Sequence, residues 1–270
     1  MSRLRILFFG DIVGVPGCAM FQKYAQKLKR DYIADAIMVN AENAAQNGRG
    51  LTPSVMASLK HNGAVVVTGG NHSFQKKEIY PYLTSNKDLL RPLNFPSSCP
   101  GTGVGVYDIN GITVGVVNLQ GLIFMREHLS CPFRALESAL TFLKSRTNIV
   151  IVDMHAEATS EKAAIAWYFD GKVSTVVGTH THVQTADERI LPQGTGFISD
   201  LGYAGSYHSL IGMKKDLIIH QMLTQMPVKY EVEEVGPYII SGVVIDIDTK
   251  TGKTLAIERF RIIDEELKLG

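Results

Sequence analysis

Six residues, Asp11, Glu42, Asn71, His155, His180 and His182, have the types and positions that a pair of divalent cations would need. Each follows closely on a short apolar run. Residues 4–9 lead into Gly10-Asp11, Ala36–Asn40 into Ala41-Glu42-Asn43, and Ala64–Thr68 into Gly69-Gly70-Asn71-His72. Residues 148–152 lead into Asp153-Met154-His155, and 173–177 into Gly178-Thr179-His180-Thr181-His182. Runs that are apolar throughout read as strands buried on both faces, and ligands gather at the carboxyl ends of such strands. Taken singly, each residue has an ordinary explanation: an aspartate after a strand forms a cap or turn, an asparagine turns the chain, and a histidine at a sheet edge satisfies its own hydrogen bonds. Convergence on five successive strand ends is not what a scatter of polar residues produces. Two carboxylates, one amide and three imidazoles, with no thiolate, form a mixed oxygen and nitrogen set suited to manganese, iron or zinc. His180 and His182 are two apart, so an extended segment turns both rings to one side. Two ions about 3.5–4 Å apart, bridged by Glu42 or Asp11, lower the pKa of a water and clamp the attacking and leaving oxygens of a phosphoryl group.

The elements that must position these residues alternate as βα units, which predicts one mixed α/β domain over residues 1–270. After a Gly-rich turn at 14–17, the residues Phe21, Tyr24, Ala25, Leu28 and Tyr32 recur at helical spacing. Thr52-Pro53 predicts an N-cap and first residue for a helix that stops at Gly63. Asn110-Gly111, between apolar runs at 103–109 and 112–119, is a strong hairpin signal and brings antiparallel strands into the fold. Helices are predicted over 132–144 and 160–169, and a half-exposed hairpin closes the chain around the turn Lys250-Thr251-Gly252-Lys253. Gly10, Gly14 and Gly17 lack the G-x-G-x-x-G spacing of a dinucleotide loop.

With 270 residues, 45% of them hydrophobic, the chain has ample material for a sizeable core. Lys and Arg number 27 against 26 Asp and Glu, so no global basic field exists to collect nucleic acid or anionic membrane. An anionic substrate must be caught locally. Cys18, Cys99 and Cys131 are odd in number and widely spaced, and read as buried thiols of a reducing compartment. Arg3, Arg5 and the apolar residues 6–9 imitate the start of a signal segment, yet Gly10-Asp11 interrupts before the stretch reaches about 7–15 residues. No other segment approaches membrane-spanning length. A cytoplasmic location is the expectation.

On these residues the chain resembles the calcineurin-like metallophosphoesterases, through Gly70-Asn71-His72 and Gly178-Thr179-His180-Thr181-His182. Val13 stands where their first motif has histidine, and Glu42-Asn43 where their second centres on aspartate. Those departures are shared by the bacterial branch described as 2′,3′-cyclic-nucleotide 2′-phosphodiesterases, which the chain resembles at 10–17, 40–43, 48–52, Asn71-His72, 155–162 and 179–184. The resemblance implies a four-layer αββα sandwich with mixed sheets and two divalent or mixed-valence ions, with iron or manganese ahead of zinc. It implies Asp11, Glu42 and His182 on one ion, and Glu42, Asn71, His155 and His180 on the other. It implies His72 as the catalytic group and Asn43 as a donor to substrate phosphate. The expected reaction is hydrolysis of 2′,3′- or 3′,5′-cyclic nucleotides by in-line attack of a metal-bridging hydroxide. A phosphomonoesterase or protein phosphatase on the same site, or a regulatory RNA-associated protein, are the alternatives. The expected partner is a small phosphodiester, with neither a membrane nor a strong nucleic-acid signal, and a homo-oligomer fits the branch. Gln75 and His208 stand where aspartates are usual in it and bear on substrate range.

Overall fold

Leu4, Ile6 and Phe8 face one way from the first strand and Leu7 and Phe9 the other, and every one of them is buried. Strand side chains alternate sides, so a strand with buried apolar residues on both faces must lie between two layers. The computed structural model describes residues 3–269. In chain order its elements are β1 (Arg3–Phe9), β2 (Asp11–Ile12), α1 (Gly14–Asp31), β3 (Ala36–Asn40), α2 (Pro53–His61), β4 (Ala64–Thr68), α3 (Tyr80–Ser85) and β5 (Leu89–Leu90). Then come β6 (Val104–Ile109), β7 (Ile112–Gln120), α4 (Pro132–Leu143), β8 (Val150–His155), α5 (Thr159–Tyr168) and β9 (Thr175–Thr179). Last are β10 (Arg189–Ile190), β11 (Gly196–Ile198), β12 (Tyr203–Ser206), α6 (Lys215–Thr224), β13 (Tyr238–Asp248) and β14 (Thr254–Asp264).

One sheet has the order β2-β12-β13-β1-β3-β4-β5, with β14 paired to β13, and the other the order β10-β11-β9-β8-β7-β6. In the first, β1, β3, β4 and β5 run parallel; in the second, β7, β8, β9 and β11 do. Leu4, Ile6, Phe8, Met38 and Val66 pack against Val114, Val116, Ile151 and Val177 of the facing sheet. Behind the first sheet, Leu7, Phe9 and Val39 meet Phe21, Ala25 and Leu28 of α1 and Met56 and Leu59 of α2. Behind the second, Val117, Leu119 and Val152 meet Leu136 and Leu143 of α4 and Ile165 of α5. The result is the four-layer αββα sandwich with mixed sheets.

Several expectations change. The segment at 14–17 is the first turn of α1 and not a loop. A Cβ on Gly17 would stand 2.4 Å from the Ala204 carbonyl oxygen, so glycine is what lets the helix lie directly on β12. β8 runs to His155 and β9 to Thr179, two or three residues beyond the apolar runs, because the polar residues there pair across the sheet as Asp153↔Val177 and His155↔Thr179. The closing hairpin is longer than its alternation suggested. β13 is buried over all but its last residue, since β1 and β12 cover one edge and β14 the other, and only β14 is half-exposed. Asp246 is buried there in an ion pair with Arg5 at 2.6 Å. Of the cysteines, Cys131 is exposed and Cys18 and Cys99 are half-buried, so the reading of three buried thiols does not hold. Cys131 immediately precedes α4, outside the packed layers. Among the described residues no helix is long and apolar enough to cross a membrane.

Candidate metal centre

The carboxyl ends of β1, β3 and β4 in one sheet, and of β8 and β9 in the other, meet at one place. His155 is at its middle. Its Nε2 lies 3.0 Å from Asn71 Oδ1, 3.1 Å from His180 Nδ1 and 3.2 Å from Glu42 Oε1. The outer nitrogens of both rings are already assigned. His155 Nδ1 stands 2.9 Å from the Thr179 hydroxyl, which itself donates to Asp153 at 2.7 Å, so Nδ1 carries the proton. His180 Nε2 faces the Glu157 carboxylate at 3.1 Å and carries its proton there. In the neutral rings the two remaining lone pairs therefore point at each other, alongside an amide oxygen and a carboxylate oxygen. Four lone-pair atoms around one point require a positive charge between them. With protons alone to supply it, burial lowers His155 but the Glu42, Asp11 and Asp153 carboxylates raise it to about 9. His180, beside it, is pushed down to about 3 by burial and by the His155 charge. Burial works to raise Glu42, yet His155 and His72 hold it well below the carboxylate range. Glu42, His155 and His180 can bring one ligand atom each within 4.8 Å of one another. Gly70 makes the space: a Cβ there would lie 2.3 Å from both Glu42 Oε2 and the His155 ring.

A second group of donors adjoins the first. Asp11 is fully buried, and its Oδ1 has no hydrogen-bond partner among the described residues. Burial raises this carboxyl well above its usual range despite the pull of His155. His182 Nε2 faces Asp11 Oδ1 at 3.8 Å, and His182 Nδ1 donates to the Ile211 carbonyl at 2.8 Å, which leaves the lone pair on Nε2. Such outer hydrogen bonds fix tautomer and ring orientation in metal-ligating histidines. Asp11 and Asn43 thus contribute buried oxygens that lack partners among the described residues to a site that a cation fits.

The segment carrying His180 and His182 is not extended as the two-residue spacing suggested. Their φ values are 101° and 62°, and Ile211, whose carbonyl holds His182, has φ 50°. Each left-handed non-glycine residue costs on the order of 1–3 kcal/mol and needs surrounding structure to hold it. Lys162 and Asp200 supply that structure. Both side chains are 1% exposed and they pair at 2.8 Å. Lys162 also donates to the Thr179 carbonyl at 2.9 Å, and Asp200 accepts from the Thr181 amide at 3.0 Å and hydroxyl at 2.8 Å. Lys162→Met is expected to lower stability by about 3–5 kcal/mol, because Asp200 keeps its charge in a buried site without its partner. Adding Asp200→Asn should recover most of that loss. Thermal melts of the two variants check this, and a single variant that melts with the wild type would mean the pair is not what holds the loop.

His72 reaches the rim of the site, its side chain 22% exposed. Its amide donates to Glu42 Oε2 at 2.8 Å and its Nδ1 faces Glu42 Oε1 at 3.0 Å. Asn43 Nδ2 donates to the Gly48 carbonyl at 2.8 Å and lies 3.2 Å from His72 Nδ1. One N–H of the amide is thus taken by the Gly48 carbonyl, while Oδ1 is buried without a hydrogen-bond partner among the described residues. The structure thus gathers all six expected ligands together with His72 and Asn43. Gln75 and His208 are exposed.

Sequence reasoning assigned no role to Asp153, Glu157, Lys162, Thr179 or Asp200. Asp200 stands two residues after the short strand β11, so the strand-end rule reaches it once that strand is recognised. Thr68 and Asn40 complete a buried network by donating to Asp153 at 2.5 and 3.0 Å.

Two facing mixed sheets, with carboxylates, an amide and imidazoles at their joined strand ends, define a metallophosphoesterase-type fold. The family model described as YmdB-like protein matches residues 7–260, and the chain belongs to that family. The chain is 46% identical over 264 residues to the 2′,3′-cyclic-nucleotide 2′-phosphodiesterase of Bacillus subtilis, covering 98% of this chain and 99% of that one. A solved Mycoplasma pneumoniae phosphatase, at 35% identity, superposes with a TM-score of 0.91 over 98% of this chain and 96% of that one. A Thermus thermophilus protein described as hypothetical, also at 35% identity, superposes with a TM-score of 0.88 over 97% and 100%.

Proposed function

We propose that this hydrolase is a di-metal phosphodiesterase acting on 2′,3′-cyclic nucleotides. The observation that carries the metal part is the pair of facing lone pairs on His155 and His180, 3.1 Å apart and flanked by Glu42 and Asn71. The substrate class is supported by the name of the Bacillus subtilis relative. Glu42, Asn71, His155 and His180 would hold one ion, and Asp11, Glu42 and His182 the other, with Asn43 Oδ1 as a further oxygen at hand. When bound, such ions lower the pKa of a water and neutralise phosphate oxygens. The protein's own part is orientation: Thr179 and Ile211 fix the His155 and His182 tautomers, and the His72 amide fixes Glu42. His72, at the rim with its Nε2 3.5 Å from Asn71 Nδ2, would be the group that meets the oxygen that leaves phosphorus. Iron or manganese, with zinc third, suit the donors.

The name of the Mycoplasma pneumoniae structure supports a second reading, a phosphomonoesterase on the same centre. Elemental analysis of freshly purified protein, coupled to hydrolysis of adenosine 2′,3′-cyclic phosphate, adenosine 3′,5′-cyclic phosphate and 4-nitrophenyl phosphate, separates the two. Conversion of the 2′,3′-cyclic substrate to the 3′-monophosphate by metal-loaded protein is the expected result. Turnover of the monoester alone would replace the diesterase reading with the second one.

A further inference from the structure

The centre described above accounts for a phosphate and leaves the rest of a nucleotide without a place. Beside it lies a surface cavity of about 290 Å³ with His182 in its wall. Its other walls include Tyr203, Tyr207, Ile211 and Arg261. This wall is tied to the centre rather than merely near it. Tyr203 pairs with Asp11 in the β2–β12 ladder, its ring stacks on His182 at 5.7 Å and 15°, and Ile211 gives its carbonyl to His182 Nδ1. The left-handed backbone at Ile211, unusual for a β-branched residue, turns the carbonyl inward and leaves the side chain 47% exposed. Tyr207 is held in turn: its amide donates to the Pro237 carbonyl at 2.8 Å, and Arg261 lies 5.4 Å over its ring while donating to its hydroxyl at 3.1 Å. A preset aromatic ring beside apolar side chains and a guanidinium with donors to spare fits a flat, apolar body with acceptors on its edge. A nucleobase has that chemistry, and one sugar ring separates it from the phosphorus.

We infer that this cavity receives the base of the nucleotide substrate, with Tyr207 as its stacking surface. The inference rests on the diesterase reading and names the part of the substrate that reading leaves open. Base–aromatic stacking is lost on alanine substitution at a level equal to about 5- to 150-fold in affinity, and as uniform binding it falls on KM and not on kcat. The test compares metal-loaded wild type, Tyr207→Ala and Tyr207→Phe on adenosine 2′,3′-cyclic phosphate and on methyl ribofuranoside 2,3-cyclic phosphate, the same ring without a base. Tyr207→Ala should raise KM for the adenosine substrate within that range, leave kcat and metal content as they were, and leave KM for the base-free ring unchanged; Tyr207→Phe should stay near wild type. Equal KM changes on both substrates, or none on either, overturn the subsite while leaving the diesterase intact. Should wild type hydrolyse neither, calorimetry with adenosine 3′-monophosphate and inorganic phosphate still decides: tighter binding of the nucleotide that Tyr207→Ala abolishes supports the subsite, and equal binding of the two ligands overturns it.

Discussion

Glu42→Gln is expected to release both cations together and to lower kcat/KM by about 10²–10³-fold or more, the scale on which removal of a single preorganised electrostatic group is felt. The substitution changes almost no volume, and Glu42 is 2% exposed, so its surroundings keep their packing. What changes is charge and donor sense. Oε1 now serves both the His155 and His72 rings at 3.2 and 3.0 Å, and Oε2 accepts the His72 amide at 2.8 Å. An amide can keep one of these as acceptor, but its NH₂ then either meets the His72 N–H or caps a ring lone pair that an ion would use, and it brings no charge to offset an ion. If Glu42 serves both ions, as proposed above, the loss should not be confined to one of them. Elemental analysis of the variant decides: two ions retained per chain would count against a bridging role whatever the activity.

His72→Ala separates chemistry from binding. Turnover should fall by about 10²–10⁴-fold, the usual contribution of a positioned acid or base, with metal content unchanged. The reason lies in which atom of residue 72 holds Glu42. The backbone amide makes the 2.8 Å bond and survives the substitution, whereas only the half-buried ring is removed. Loss of metal from this variant would show instead that the ring, through Nδ1 and Glu42 Oε1, is needed to build the centre.

How much of this was legible in the sequence depends on how local each feature is. The start of α2 could be read because its determinants are adjacent: the Thr52 hydroxyl accepts from the Val55 amide at 3.3 Å and Pro53 needs no donor. The hairpin at Asn110-Gly111 was legible for the same reason, both residues having the positive φ such turns require. Strands of two to four residues such as β2, β10, β11 and β12 escaped, being too short to show a period. α6 escaped too, with Ile218 its one buried residue among those described. The ligands were visible because polar residues stand out at the ends of apolar runs. Their supports were not. Lys162 and Asp200 are 38 positions apart and meet only through tertiary structure. The left-handed backbone at His180, His182 and Ile211 has no compositional mark, so spacing suggested an extended segment where strain prevails.

The donors come from both halves of the sandwich, with Asp11, Glu42 and Asn71 after strands of one sheet and His155, His180 and His182 at or after strands of the other. Ions seated among them would therefore act as a clasp at the open end of two sheets otherwise joined by the apolar layer between them. Binding that favours the folded chain alone adds to its stability in proportion to the logarithm of free ligand over Kd. The rim proposed above for catalysis would then also be the latch of the fold, fastened in proportion to the metal its surroundings provide.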